Sequence, residues 1–449
     1  MKRIISIILT VLVLINAAPA VSFGATPPPA ILAETAVVID AKTGQVLYDK
    51  NMNEQREPAS TTKVITALLA LENLDLSKTV TIDAETPFTE GSRVYLLEGE
   101  NIKVEQLMYA LLLESANDAA VALGKEIAGS VPAFADMMNK RARELGAENT
   151  HFVNPNGLHE EGHLTTAYDL AMIAKYAMKN QEFRTLVSTY RYVIPATNMQ
   201  DTRYLYNTNR LIYDEKTKVI VNGVQRPAKY DGALGIKTGY TSHAGGCLIA
   251  GAKRGDTELI SVVMKSTDEG RFADSIALLD YAFENYKSVK AMDAGTILGE
   301  IPVKHGSERK VQVISKEDAY ATLPIEASSS MINTKIKLDD KVQAPVAKGQ
   351  KVGEVEIYEG DQLLGKVDAI TAAGIPEGGI LAIIGISDEA AKLIERILAS
   401  VLILVVLLFT AYVVLKRRQI RRRKLRRQER IQRYQQQENR RNYDEHWRY

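Results

Sequence analysis

The residues from Ile397 to Leu415 form an almost unbroken apolar run whose only polar side-chain atoms belong to Ser400, Thr410 and Tyr412. As a helix rising about 1.5 Å per residue, the run measures roughly 28 Å, close to the ~30 Å hydrocarbon core of a bilayer. No other feature restricts the chain as much. Residues before a span must fold on one side of a membrane, and residues after it on the other. Lys416-Arg417-Arg418 come directly after it, then Arg421-Arg422-Arg423-Lys424 and Arg426-Arg427. Positive flanks stay on the cytoplasmic side, so residues 416–449 are expected as an Arg-rich cytoplasmic tail, with the bulk of the chain outside. The N-terminus agrees. Lys2 and Arg3 precede the apolar stretch Ile4 to Ile15, and the small residues Ala17, Ala18 and Ala20 come next. That is the layout of a secretory signal peptide, assigned to residues 1–24, with cleavage after Ala20 or a few residues later. An uncleaved anchor is the alternative, although the run is short for a span. The tail arginines, interspersed with Gln and Tyr, also suit a nucleic-acid-binding arm. Topological retention and attraction to anionic lipid explain the same charges more simply, and no nucleic-acid partner is expected.

Between these two segments the composition is that of a globular protein. The 449 residues are 46% hydrophobic and 25% charged, enough for two or three domains. The net charge of +1 conceals an acidic body balanced by the basic tail. The single cysteine, Cys247, excludes an internal disulfide. It lies within the apolar Gly246-Cys247-Leu248-Ile249-Ala250 and reads as a small core residue.

Patterning divides the body in two. Ala36 to Asp40 and Gln45 to Tyr48 read as strands around a Lys42-Thr43-Gly44 turn. A helix is expected from Ser60 to about Asn73, a short strand at Val80 to Ile82, and a loop from Thr86 to Glu100. Helical spacing returns at Val104, breaks at Ser115-Ala116-Asn117-Asp118 and resumes to Ile127. Further helices are expected over Pro132–Leu145, Ala167–Met178 and Phe272–Tyr286, with a hairpin made of Cys247–Lys253 and Glu258–Met264. Strands, then helices, then strands describe an α+β domain whose antiparallel sheet is covered by helices. After about Lys290 short alternating runs replace the helical period, at Val311–Ile314, Thr334–Leu338 and Val352–Tyr358. The expected domains are therefore 25–288, a β-rich 289–386 ending near Ile384, a linker at 387–396, the span at 397–415 and the tail.

Three polar signatures occur in order: Ser60-x-x-Lys63, Ser115-x-Asn117 and Lys237-Thr238-Gly239. Each is weak alone. Ser307 to Lys310 repeats the first and Lys42-Thr43-Gly44 the third. On a helix, Ser60 and Lys63 share a face, which sets a hydroxyl beside an amine. Ser-x-x-Lys followed by Ser-x-Asn and Lys-Thr-Gly is the acylating-serine pattern of penicillin-interacting enzymes. A competing pattern, His159-Glu160-Glu161-Gly162-His163, fits the zinc-protease H-E-x-x-H. That chemistry needs a helix, and this segment comes after the Asn154-Pro155-Asn156-Gly157 turn and contains Gly162. No metal and no cofactor is expected.

With Glu57-Pro58-Ala59 before Ser60, Asn154 to Leu158, and Gly235-Ile236 before Lys237-Thr238-Gly239-Tyr240-Thr241, the chain resembles the low-molecular-weight penicillin-binding proteins, the serine-type D-alanyl-D-alanine carboxypeptidases. The likeness runs from about Ala33 to Tyr286 and more loosely beyond. It implies a penicillin-recognising domain of the β-lactamase-like class, a β-rich domain and a C-terminal membrane anchor. It also implies an acyl-enzyme on Ser60, release of D-Ala from peptidoglycan stem peptides, and inhibition by β-lactams. In that scheme Lys63 is the base, which requires it neutral, and Lys237 is a nearby cation that lowers its pKa. Ser115 relays protons, and Asn117 holds Lys63 and a substrate carbonyl. The edge Lys237, Thr238, Gly239, Tyr240 pairs with extended peptide, and the family pattern places an oxyanion hole at the N–H groups of Ser60 and Tyr240. Lys237 and Arg271 are candidates for the substrate carboxylate. A β-lactamase-like hydrolase and a non-catalytic wall-binding scaffold are the alternatives. Two departures stand out. The segment Leu211 to Tyr230 is longer than usual, with a changed cleft edge or a changed substrate preference as its expected effect, and the anchor spans where many relatives use an amphipathic helix.

Overall fold

Ala36, Val37, Val38 and Ile39 are all fully buried, the mark of a strand covered on both faces. The computed structural model, which describes residues 26–379 and 386–446, places them in β1 (Thr35–Asp40). The expected signal peptide and Ile384 lie outside the described residues. After the Lys42-Thr43-Gly44 turn, β2 (Val46–Lys50) returns along β1. The turn is held by Asp40, whose Oδ1 accepts the Lys42 and Thr43 N–H groups at 2.8 and 3.1 Å.

The expected helix at Ser60 starts differently. Residues Ala59–Thr62 form a 3₁₀ turn, and α1 (Lys63–Asn73) continues from it. Ala59 has φ +47°, a left-handed conformation that turns the chain sharply before Ser60. Neither the 3₁₀ turn nor α1 has a side-chain N-cap, so Ser60 is not spent as one. Next come β3 (Thr79–Thr81), a loop containing only the short 3₁₀ turn Thr86–Phe88, and β4 (Asn101–Lys103), which pairs with β3. Helix α2 (Val104–Leu112) is separated from α3 (Asn117–Ala128) by a break in which Ser115 has φ +60°. Three capped helices come after it. Ser130 caps α4 (Val131–Glu144), Thr166 caps α5 (Ala167–Ala177), and Asn180 caps the short α6 (Gln181–Ser188).

Two hairpins come next, β5 (Arg191–Ile194) with β6 (Arg203–Tyr206), and β7 (Lys218–Val221) with β8 (Val224–Pro227). Strands β9 (Ala233–Thr241), β10 (Gly245–Arg254) and β11 (Thr257–Ser266) lead into α7 (Gly270–Asn285). The five-stranded sheet has the order β2-β1-β11-β10-β9, antiparallel at every pair. Strand alternation sorts its side chains. Val37, Ile39, Ile249, Ile260 and Val262 join the core made with α1 to α6, whereas Ala36, Val38, Leu248, Leu259 and Val263 join the α7 side. Each such aliphatic residue contributes about 1.5–3 kcal/mol on burial, so the sheet is the stiff plate on which the site is mounted.

The long segment from Leu211 to Tyr230 packs on the α7 side of the sheet. Leu211, Val219, Val221, Ala228 and Tyr230 pack with Phe272 and Ile276. Tyr230 donates to Asp280 at 2.9 Å, and Arg226 pairs with the same carboxylate at 2.6 Å. The apolar alternation of β7 is what holds it there.

The remaining strands are β12 (Tyr286–Met292), β13 (Ile297–Lys304), β14 (Lys310–Ser315), β15 (Ala319–Pro324), β16 (Ile332–Leu338), β17 (Val342–Gln343), β18 (Lys351–Glu359) and β19 (Gln362–Thr371). The chain forms two compact units. The first comprises the described residues up to 294 with 317–335 and 355–367, the second 295–316, 336–354 and the residues from 368 on. Within the first, β12 pairs with β15, and Asp40 accepts hydrogen bonds from Ser288 and Thr322. Within the second, Ile301, Val303, Val311, Val313, Val352 and Ala369 form a separate small core. The helical period does disappear after Lys290, and it returns only in α8 (Asp388–His446). This single helix takes in the expected linker from Asp388 on, the apolar run and most of the tail. It is long and apolar enough to cross a membrane.

Candidate active site

The Ser60 turn is locked from outside by a glycine. Gly157, at φ +83°, lies so close that a Cβ there would come within 1.8 Å of the Ala59 carbonyl oxygen. The Asn154 to Gly157 turn therefore does more than reverse the chain. It seats Ala59 in its left-handed conformation, and it presents the Asn156 carbonyl to Lys63. Lys63 Nζ donates to Asn117 Oδ1 at 2.6 Å and to Asn156 O at 2.6 Å, and lies 2.9 Å from Ser60 Oγ. The side chain is fully buried. Burial first, and then the charge of Lys237, hold its amine well below the ordinary lysine pKa, while Asp118 opposes them. A buried amine of this kind is a proton acceptor for a neighbouring hydroxyl.

The break between α2 and α3 supplies the second group. Asn117 stands at the first turn of α3. Its Oδ1 accepts from Lys63, and its Nδ2 donates to Glu90 O at 2.7 Å. An amide carries two N–H bonds, and Glu90 O takes one of them. Ser115 is 8% exposed, and among the described residues its hydroxyl has no hydrogen bond to either lysine. The expected relay is thus not hydrogen-bonded to either lysine.

Strand β9 supplies the third. Lys237 is buried, and its Nζ donates to Thr238 O at 3.0 Å. Burial and then Arg271 lower its pKa to about 7, with Glu114 opposing. Thr238 Oγ1 lies 2.7 Å from Thr208 Oγ1. On the side where its side chain would stand, Gly239 faces the Ser60 turn. A Cβ there would lie 3.1 Å from Pro58 O, Ser60 N and Thr61 N. The absent side chain thus lets β9 press against the turn, and brings the backbone preceding Tyr240 beside the Ser60 N–H. Tyr240 itself is 56% exposed. Arg271, in the first turn of α7, donates to Gly239 O at 2.8 Å and pairs with Asp268 at 2.8 Å. Burial lowers its pKa. Its Nε is buried without a partner among the described residues.

Other residues escaped the sequence reading. Asp118 is buried and accepts from Val94 N and Leu96 N at 3.3 and 3.0 Å, which ties the loop from Thr86 to Glu100 to α3. Its place directly after Asn117 was the only signal. The contribution of Asn156 is a backbone carbonyl, which no side-chain motif announces. Cys247 is fully buried, as expected, and burial raises its thiol pKa to about 11.

The H-E-x-x-H segment is a turn and not a helix. His163 is buried with both ring nitrogens occupied. Val153 N donates to its Nδ1 at 3.1 Å, and its Nε2 lies 2.9 Å from Thr62 Oγ1. Burial, then His151 and Lys63, lower its pKa to about 4. His159 turns away to Glu57 at 3.0 Å. The two histidines of the pattern therefore serve different places.

Comparison with known proteins agrees with this geometry. The D-alanyl-D-alanine carboxypeptidase family model matches residues 22–268, and the model of the penicillin-binding protein 5 C-terminal domain matches 286–377. Among curated relatives, D-alanyl-D-alanine carboxypeptidase DacF of Bacillus subtilis is 33% identical over 85% of this chain and 96% of its own length. DacD of Salmonella typhimurium is 34% identical over 81% and 91%. Among solved structures, penicillin-binding protein 5 from Haemophilus influenzae covers 79% of this chain and 100% of its own, with TM-score 0.60 and 29% identity. Penicillin-binding protein 6B from Escherichia coli covers 77% and 97%, with TM-score 0.56 and 30% identity. With its matched catalytic and C-terminal segments and its Ser60–Lys63 pair, the chain belongs to the D-alanyl-D-alanine carboxypeptidase family of penicillin-binding proteins.

Proposed function

We propose that this serine carboxypeptidase removes the terminal D-Ala from peptidoglycan stem peptides through an ester on Ser60. The contact of Ser60 Oγ with the buried Lys63 amine, 2.9 Å, carries this reading. Ser60 Oγ attacks the carbonyl carbon of the penultimate D-Ala while neutral Lys63 takes the hydroxyl proton. The carbonyl oxygen gathers negative charge and is received by the N–H groups of Ser60 and Tyr240. Collapse breaks the peptide bond, and the departing amine of D-Ala takes a proton, with Ser115 and the two lysines as its source. Water then attacks the ester, Lys63 accepts its proton, and the shortened peptide leaves as a carboxylate. Lys237, Thr238 and Arg271 receive the terminal carboxylate, and the β9 edge pairs with the peptide backbone. A β-lactam enters by the same attack and remains as an ester.

The catalytic unit lies outside the membrane, residues 397–415 cross it, and the Arg-rich tail is cytoplasmic. The charge asymmetry around the apolar run supports this. No nucleic acid is involved. Labelling with fluorescent penicillin and assay of D-Ala release, on wild type and Ser60→Ala, test the chemistry. Both signals are expected to vanish in the variant. Labelling that survives would remove Ser60 from the mechanism.

A further inference from the structure

Beside the Ser60 turn, and outside the acyl-transfer machinery, two imidazoles and a carboxylate converge from three separate segments. Glu57 stands at the entry to the turn. His159 comes after the Asn154 to Leu158 segment, and His243 sits in the short connection between β9 and β10. His159 Nδ1 lies 3.0 Å from Glu57 Oε1. The His159 and His243 rings have centroids 4.1 Å apart, tilted by 38°. One ligand atom from each of the three residues lies within 4.8 Å of the other two. Both histidines are exposed, so core packing does not explain their approach. The nearby cation Lys265 is turned onto the His243 carbonyl oxygen, which leaves the imidazole nitrogens facing Glu57.

We propose that Glu57, His159 and His243 form a binding site for a divalent transition-metal ion of the zinc class. Two imidazoles and one carboxylate are the donor set of zinc and its first-row neighbours, whereas magnesium and calcium select oxygen. Bonds of about 2.1 Å in tetrahedral geometry place donors roughly 3.4 Å apart. Exposed side chains need to move by only about 1 Å to reach that from the observed cluster. Water completes the coordination. The ion plays no part in acyl transfer. It fastens the Ser60 turn, the segment after the Asn156 carbonyl and the β9–β10 turn to one another, and so stabilises the folded chain by mass action. His159 is shared with the H-E-x-x-H pattern, but its companion is His243, because both nitrogens of His163 are occupied.

The test uses the full chain, freed of metal and held in detergent, titrated with zinc by calorimetry and followed by thermal unfolding. One zinc per chain is expected, with an upward shift of a few degrees in Tm. His159→Ala, His243→Ala and Glu57→Gln are each expected to weaken binding at least tenfold and to abolish the Tm shift. His305→Ala, whose imidazole lies in the other compact unit, is expected to do neither. Cobalt in place of zinc should give the visible absorption of a tetrahedral complex in wild type and not in His243→Ala. Fluorescent-penicillin labelling of each variant reports that it is folded, so weakened binding cannot be ascribed to unfolding. Equal zinc affinity in wild type and in both folded histidine variants would overturn the proposal, as would absence of binding in wild type.

Discussion

At the scale of single residues, the site is a balance of protonation states. Lys63 is buried among oxygen acceptors and Lys237 among backbone; the charge of Lys237 disfavours that of Lys63, and burial with the charge of Arg271 disfavours that of Lys237. Acylation requires Lys63 neutral, and capture of a carboxylate requires Lys237 charged. Lys237 loses its proton as pH rises through about 7. The second-order rate of penicillin acylation is therefore expected to fall on the alkaline side of about pH 7, and Lys237→Arg should move that limb upward. A rate that climbs steadily to about pH 10, where an ordinary lysine titrates, would contradict the assignment. Lys63→Met removes the base and should slow acylation by about 10²–10⁴-fold. His163 gives a separate signature in stability. Its pKa is about 4 in the fold against 6.5 for a free imidazole. The unfolded chain therefore binds more protons between those values, and stability is lost as pH falls from about 6.5 towards 4, by up to about 3 kcal/mol. Denaturant unfolding at about pH 5 and about pH 7 should show that loss in wild type and a smaller one in His163→Asn. The side chains of Ser60, Lys63, Asn117 and Lys237 were legible in the sequence because chemistry fixes their types. The Asn156 carbonyl was not, since every residue carries one.

Among the elements, the informative feature is the contact between two turns remote in sequence. Gly157 combines a positive φ with a neighbour that leaves no room for a methyl group. Gly157→Ala is expected to cost about 1–3 kcal/mol from backbone strain alone. Displacement of Ala59 should also slow acylation, which thermal unfolding and penicillin labelling measure together. Gly239→Ala should destabilise less, because its contacts at 3.1 Å are tight but not forbidden, while still slowing acylation. The long elements were readable from their apolar spacing, β1, β10, β11, α4, α5 and α7 among them. The hairpins β5–β6 and β7–β8 were not. Their strands have four residues each, too few for alternation to stand out from a loop. The 3₁₀ start at Ala59 was hidden too, because it depends on Gly157, nearly a hundred positions away.

For the molecule as a whole, the catalytic part and the apolar C-terminal helix were legible in the sequence, but not how the middle partitions. Residues 317–335 and 355–367 belong to the same compact unit as the site, although they come after its last helix. Tertiary pairing such as β12 with β15 decides this, and it leaves no local mark. A chain ending before Asp388 is expected to move to the soluble fraction on membrane fractionation and to keep its penicillin labelling. If it stays with the membrane, the C-terminal helix is not the sole anchor. Helix α8 has 59 residues, about 88 Å of continuous helix at 1.5 Å per residue. A bilayer accounts for only about a third of that length. The part from 416 to 446 is an arginine-rich helix about 46 Å long at 1.5 Å per residue, a continuous lever of several nanometres along which a pull or torque on the far end is carried back to the apolar run.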